Sequence, residues 1–177
     1  MSVLTIVQQS KPGLMKKAFV ALGSNLEDPV LQVKKAFSAL EHLPQTRVLK
    51  KSSLYQTAPV DCRFDSQNPV PDFINAVVEL ETELTPLTLL EALHAIENAA
   101  GRERPYINAP RVLDCDLLLY ENITLNTSKL TLPHPRMHTR GFVLLPLFEI
   151  APHLSVPNHG KIAQLITPEL SLGIQKL

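Results

Sequence analysis

The chain has 177 residues with 17 Lys plus Arg and 17 Asp plus Glu, a formal net charge of zero. That argues against a nucleic-acid binder relying on a wholly basic domain, though it leaves room for a local basic patch, while 45% hydrophobic residues supply one packed core and argue against disorder. Its six glycines (Gly13, Gly23, Gly101, Gly141, Gly160 and Gly173) are too dispersed for G-x-G-x-x-G or G-x-x-x-x-G-K. Any phosphate must therefore be held by side chains and metal rather than by a glycine-rich backbone cradle.

Residues 1–15 read as a loose extension ahead of a single domain over 16–177. They contain Gln8, Gln9, Ser10 and Lys11 and have no secretory apolar core. No apolar run approaches the roughly 20 residues needed to span a bilayer. Cys62 and Cys115 form neither a disulfide framework nor a C-x-x-C site. These features predict a cytoplasmic protein with no membrane partner. The first strand covers Ala18–Leu22 and is ended by Gly23-Ser24-Asn25. Asp28 is a candidate N-cap for a helix with Pro29 in its first turn and Val30, Val33, Phe37 and Leu40 at helical spacing.

A second strand is expected over 46–57 and a third over Phe73–Leu80. The loop between them, 58–72, carries Pro59, Pro69 and Pro71, and its length marks it as functional or mobile. Thr85-Pro86 opens a second helix, ended at Gly101. Val112–Tyr120 is a long apolar strand interrupted by two acids, and a short hairpin partner is expected around Ile123–Asn126. A third helix is expected over 139–149, with Pro146 near its end or at a kink. The order β-α-β-β-α-β predicts an α+β fold: a ferredoxin-like split βαβ sandwich, its mostly antiparallel sheet packed with helices on one face.

Charge is unevenly distributed. Residues 11–63 carry nine basic and four acidic side chains; residues 64–100 carry seven acids and no Lys or Arg. Residues 101–140 mix six bases, four acids and two histidines around apolar strand-like segments. Within that block, a strand puts Asp114 and Asp116 on one face, about 6.6 Å apart along the chain. Such a pair suits one or two divalent ions, and hard carboxylate oxygens beside phosphates favour magnesium. The same acids could instead line a wet face or pair with Arg111. Cys115 points the other way, into the core. Arg102, Arg104 and Arg111 precede the acids, and Lys129, His134, Arg136, His138 and Arg140 follow them. A planar guanidinium suits phosphate oxygens at any working pH. His134, held between Pro133 and Pro135, is either a phosphate donor or an ordinary loop histidine.

The ordered segments Ala21-Leu22-Gly23-Ser24-Asn25-Leu26, Ser53–Thr57, Asp72–Ala76, Gly101-Arg102, Pro110–Asp116 and Leu132–Pro152 resemble the hydroxymethyldihydropterin pyrophosphokinases of folate biosynthesis. The resemblance covers about residues 18–152. It implies transfer of pyrophosphate from ATP to the hydroxymethyl group of a reduced pterin, giving AMP and the pterin diphosphate, with two Mg²⁺ ions held by Asp114 and Asp116. It implies that Arg102 and Arg111 act in catalysis and that Arg102, Arg104, Arg111, Thr131, His134 and Arg140 lie on the ATP side. Phe73 and Phe142 would sandwich the pterin ring, with Thr57, Asn75 and the backbone near Val60 reading its edge. Without the resemblance, both aromatics would be read as core residues. ATP and the reduced pterin are the expected partners, and the chain is expected to be a monomer. The remaining alternatives are another two-metal phosphoryl or nucleotidyl enzyme using the same acids, and a non-catalytic ligand-sensing domain.

Overall fold

The computed structural model describes residues 13–59, 67, 69–101 and 112–177. In chain order the elements are β1 (Lys16–Ser24), α1 (Pro29–Glu41), β2 (Thr46–Lys51), β3 (Tyr55–Thr57), β4 (Phe73–Thr82), α2 (Pro86–Ala99) and β5 (Asp114–Tyr120). They are followed by β6 (Leu125–Asn126), β7 (Thr131–Leu132), a 3₁₀ turn at Met137–Thr139, α3 (Gly141–Ile150), β8 (Ser155–Val156) and β9 (Gly160–Lys161). Two short helical turns, α4 (Ile162–Leu165) and α5 (Pro168–Ser171), lead to β10 (Ile174–Lys176).

The main sheet runs β10-β3-β4-β1-β5, with β2 also pairing β4, and its pairings are all antiparallel. The order β5-β1-β4-β2 is that of the ferredoxin-like sandwich, so the expected fold class is the observed one. Its start signals also act as read. Asp28 accepts from the amide of Leu31 at the head of α1, and Thr85 caps α2 through the amide of Thr88.

The packing departs from the expectation that helices cover one face only. Helices α1 and α2 bury Val33, Leu40, Leu89 and Leu93 against Val20, Leu22, Val78 and Leu80. Helix α3 covers the opposite face, burying Val143, Leu144, Leu147 and Ile150 against Phe19, Ala21, Val77 and Leu119. The cause lies in β1, whose apolar run Ala18–Leu22 has no alternation, and in Val77 of β4, which joins Phe19 and Ala21 on the second face, so both faces of the central strands need cover. Pro146 lies inside α3, where it offers no amide to the carbonyl of Phe142.

Two strand expectations also need correction. The stretch 46–57 is divided at Ser52: its amide donates to Val77 O at 2.9 Å and its hydroxyl accepts from Val77 N–H at 2.9 Å, replacing ladder bonds with a side chain. The hairpin partner of Leu125–Asn126 is β7 rather than β5. The outer edge of β5 is already used. Buried Glu97 accepts from Cys115 N–H at 2.8 Å, and His134 N–H donates to Leu118 O at 2.9 Å.

Candidate active site

The strand register places the candidate side chains. Residues directly opposite in an antiparallel ladder share a face, and Asp114, Gly23, Asn75 and Tyr55 form one such row across β5, β1, β4 and β3. Asp116, Ala21 and Val77 form the next row, and Thr57 lies opposite Phe73. Val77 and Ala21 pack with α3, so the two acids, Asn75, Phe73 and Thr57 occupy the α3 side of one sheet end. Cys115 faces the α1–α2 core, as expected, and burial pushes its thiol pKa up.

Neighbouring chain ends hold this corner together. Ser24 donates through Oγ to the carbonyl of Val112, and Asn25 Nδ2 donates to Pro71 O at 3.4 Å. Asn75 Nδ2 donates to Thr57 Oγ1 at 3.2 Å, with both residues 5% exposed. Behind them, Glu149 of α3 accepts from Tyr55 O–H and from the amide and hydroxyl of Ser53. Burial raises the Glu149 pKa, but these bonds and Lys176 outweigh it, leaving the carboxyl below its usual range. Glu149 thereby clamps β3 onto α3.

The segment after β7 crosses the same end. His134 Nδ1 accepts from Arg136 N–H at 3.2 Å, which leaves Nε2 as the protonated nitrogen of a neutral ring. Burial first, then Arg140 and Arg136, lower the His134 pKa to about 4 against an opposing pull from Asp114. Arg140 lies immediately before α3, with its guanidinium carbon 5.5 Å from the ring centroid of Phe142. A cation face and an aromatic face therefore meet at the helix start. Thr131 is half-exposed in β7, three positions before His134. Val60, Arg102, Arg104 and Arg111 lie outside the described residues.

Asp114 and Asp116 are both half-exposed, and their carboxylate oxygens are the donor type a magnesium ion takes. Among the described residues no third His, Cys, Asp or Glu joins them in a metal-binding cluster. The donor set fits an ion completed by phosphate oxygens and water. Sequence reasoning missed three contributors. Glu149 had a local signal, since it lies inside the Leu132–Pro152 segment. Gly23 has a signal as a strand end and as part of the segment Ala21–Leu26, but none for its place between Asp114 and Asn75. The segment Glu169–Ile174, which lines a cavity of about 410 Å³ with Thr57, Arg140 and Phe142, had no signal of its own.

A family described as 7,8-dihydro-6-hydroxymethylpterin-pyrophosphokinase matches residues 19–152. A 2-amino-4-hydroxy-6-hydroxymethyldihydropteridine pyrophosphokinase of Haemophilus influenzae is 44% identical over 152 residues, covering 86% of this chain and 92% of that protein. The protein of the same name from Pseudomonas aeruginosa is 40% identical over 164 residues, covering 93% and 98%. Among solved structures, an HPPK-DHPS chain crystallised in complex with substrates superposes with a TM-score of 0.71 at 14% identity, a likeness of fold. That match covers 93% of this chain and 47% of the other, so the present chain spans about half its length.

Proposed function

Since the chain belongs to the 7,8-dihydro-6-hydroxymethylpterin-pyrophosphokinase family and so transfers a pyrophosphoryl group from ATP to hydroxymethyldihydropterin in folate biosynthesis, we propose that the α3-side corner of the sheet is where it does so. The observation that carries this is the shared register row: Asp114 and Asn75 flank Gly23 on one face, with Phe142 and Arg140 at the start of the helix that covers it. In this reading Asp114 and Asp116 hold two magnesium ions. When bound, magnesium neutralises phosphate charge and lowers the pKa of a coordinated hydroxyl.

The chain's own residues bind and orient. Arg140, with Arg102, Arg104 and Arg111, offsets the charge of the triphosphate, and Arg102 and Arg111 stabilise the charge that develops in transfer. Neutral His134 offers Nε2–H to a phosphate oxygen, since Nδ1 is occupied by the Arg136 amide. Thr131 lies on the same nucleotide side. Phe73 and Phe142 give flat faces to the pterin ring, and Thr57, Asn75 and the backbone near Val60 read its polar edge. The hydroxyl oxygen attacks the β-phosphorus in line and releases its proton to solvent, while the bond from that phosphorus to the bridging α,β-oxygen breaks and AMP departs with that oxygen. Positioning supplies much of the acceleration.

The reading extends to a single catalytic domain over 16–177, acting as a monomer in the cytoplasm. Incubation with ATP, Mg²⁺ and reduced hydroxymethylpterin tests it. AMP and pterin diphosphate in equal amounts are expected; ADP or free pyrophosphate would sink the reading.

A further inference from the structure

The chain beyond the family-matched span 19–152 returns to the site. Strand β10 pairs antiparallel with β3, setting Ile174 opposite Thr57 and Lys176 opposite Tyr55. Leu177 N–H donates to Leu54 O at 2.9 Å, and Lys176 Nζ lies 3.6 Å from Glu149 Oε2. The C-terminus is therefore a sheet edge added to the strand that carries Thr57.

Just before β10, the chain presses onto the start of α3. A Cβ placed on Gly141 would stand 1.7 Å from Leu170 O and 2.8 Å from Ile174 Cδ1. Only hydrogen fits there. Gly141 lies between Arg140 and Phe142, so this contact sets the segment beside both. The resulting cavity of about 410 Å³ is lined by Thr57, Arg140 and Phe142 together with Leu170, Leu172 and Ile174 of this segment. Leu172 is 78% exposed while lining that cavity. An apolar side chain held open at the mouth of a pocket gains most from a flat, apolar-faced ligand that removes it from water.

Resting on the functional reading above, we propose that Glu169–Ile174 forms the outer wall of the pterin side of the site, with Leu172 contacting the bound pterin and setting its affinity. Gly141 is the positioning residue that lets the wall close.

Steady-state kinetics test this on the full chain. Leu172→Asp should raise the KM for reduced hydroxymethylpterin roughly five- to tenfold, with the KM for ATP and the thermal midpoint unchanged because the side chain is exposed. Leu172→Met should restore the pterin KM. Gly141→Ala should raise it too, by displacing the Leu170 carbonyl. An unchanged pterin KM in Leu172→Asp, or an equal rise for both substrates, overturns the proposal while the functional reading stands. A wild-type chain that forms no pterin diphosphate overturns both.

Discussion

Asn75 and Thr57 are joined by a hydrogen bond from Nδ2 to Oγ1 across 3.2 Å, at a point where β4 and β3 both turn polar side chains toward α3. Each residue is 5% exposed, so the bond satisfies groups with little access to water. Thr57→Val keeps the shape and removes the acceptor, leaving the Asn75 amide to lose about 1–3 kcal/mol. We expect urea unfolding to register that loss. The pterin KM should rise several-fold while the ATP KM holds, and Thr57→Ser should recover both properties. A variant as stable as wild type with an unchanged pterin KM would refute this role.

The acids on β5 call for a different test, because other groups hold the strand's edge. Its edge is held by Glu97 on the Cys115 amide and by the His134 amide on the Leu118 carbonyl. Asp114 and Asp116 are half-exposed. Asp114→Asn and Asp116→Asn should each cost about 10²-fold or more in kcat, the scale of losing a main electrostatic stabiliser. Far-UV circular dichroism should be unchanged, and the Mg²⁺ concentration for half-maximal rate should rise. Near-wild-type turnover in both variants would remove these residues from the metal assignment.

His134 gives a pH signature. An unfolded imidazole titrates near 6.5, whereas burial, Arg140 and Arg136 bring the folded one to about 4. Between those values the unfolded chain binds the proton and the native chain does not, so stability falls as pH drops from 6.5 toward 4. Above 6.5 the contribution is complete and flat. We expect the free protein to lose on the order of 2 kcal/mol through this residue, after allowing for solvent screening. His134→Asn should flatten that part of the profile. Urea midpoints for both proteins at pH 7 and pH 4.5 provide the check; parallel profiles would show that His134 contributes nothing there.

What could be read before folding follows from the range of each interaction. Asp28 and Thr85 cap their helices within three residues, so the chain itself carries that information. The face shared by Asp114 and Asp116 follows from strand alternation alone. The division at Ser52 was hidden because it depends on Val77, which is 25 positions away. The helix-covered second face has a weaker signal, because only β1 carries an unbroken apolar run, while Asn75, Glu79 and Glu81 interrupt β4 even though most of that strand is buried. Leu172 was invisible for a stronger reason. Its place on the cavity that Phe142 also lines is set by β10 joining β3 and by Gly141 meeting the Leu170 carbonyl, and neither has a local motif.

Gly23 tests how tightly the proposed pterin side is packed. It lies between Asp114 and Asn75 in one register row, and a Cβ there would stand 3.1 Å from Asn75 Oδ1. That is tighter than ordinary contact between these atoms, so one partner must shift by a few tenths of an ångström. The β1 backbone is fixed by ladders on both sides, which leaves the Asn75 amide to move. The amide is tied to Thr57 through Nδ2, so its displacement strains the bond between the two residues proposed to read the pterin. Gly23→Ala should therefore raise the pterin KM several-fold and lower stability by about 1 kcal/mol, the scale of mild overpacking. The Mg²⁺ requirement should stay where it is, because the side of the row facing Asp114 receives no new atom in contact. A double-mutant cycle with Thr57→Val separates the two effects. If the amide–hydroxyl bond is what Gly23→Ala disturbs, the second substitution adds less than its own single cost. Full additivity would mean that the methyl group acts elsewhere.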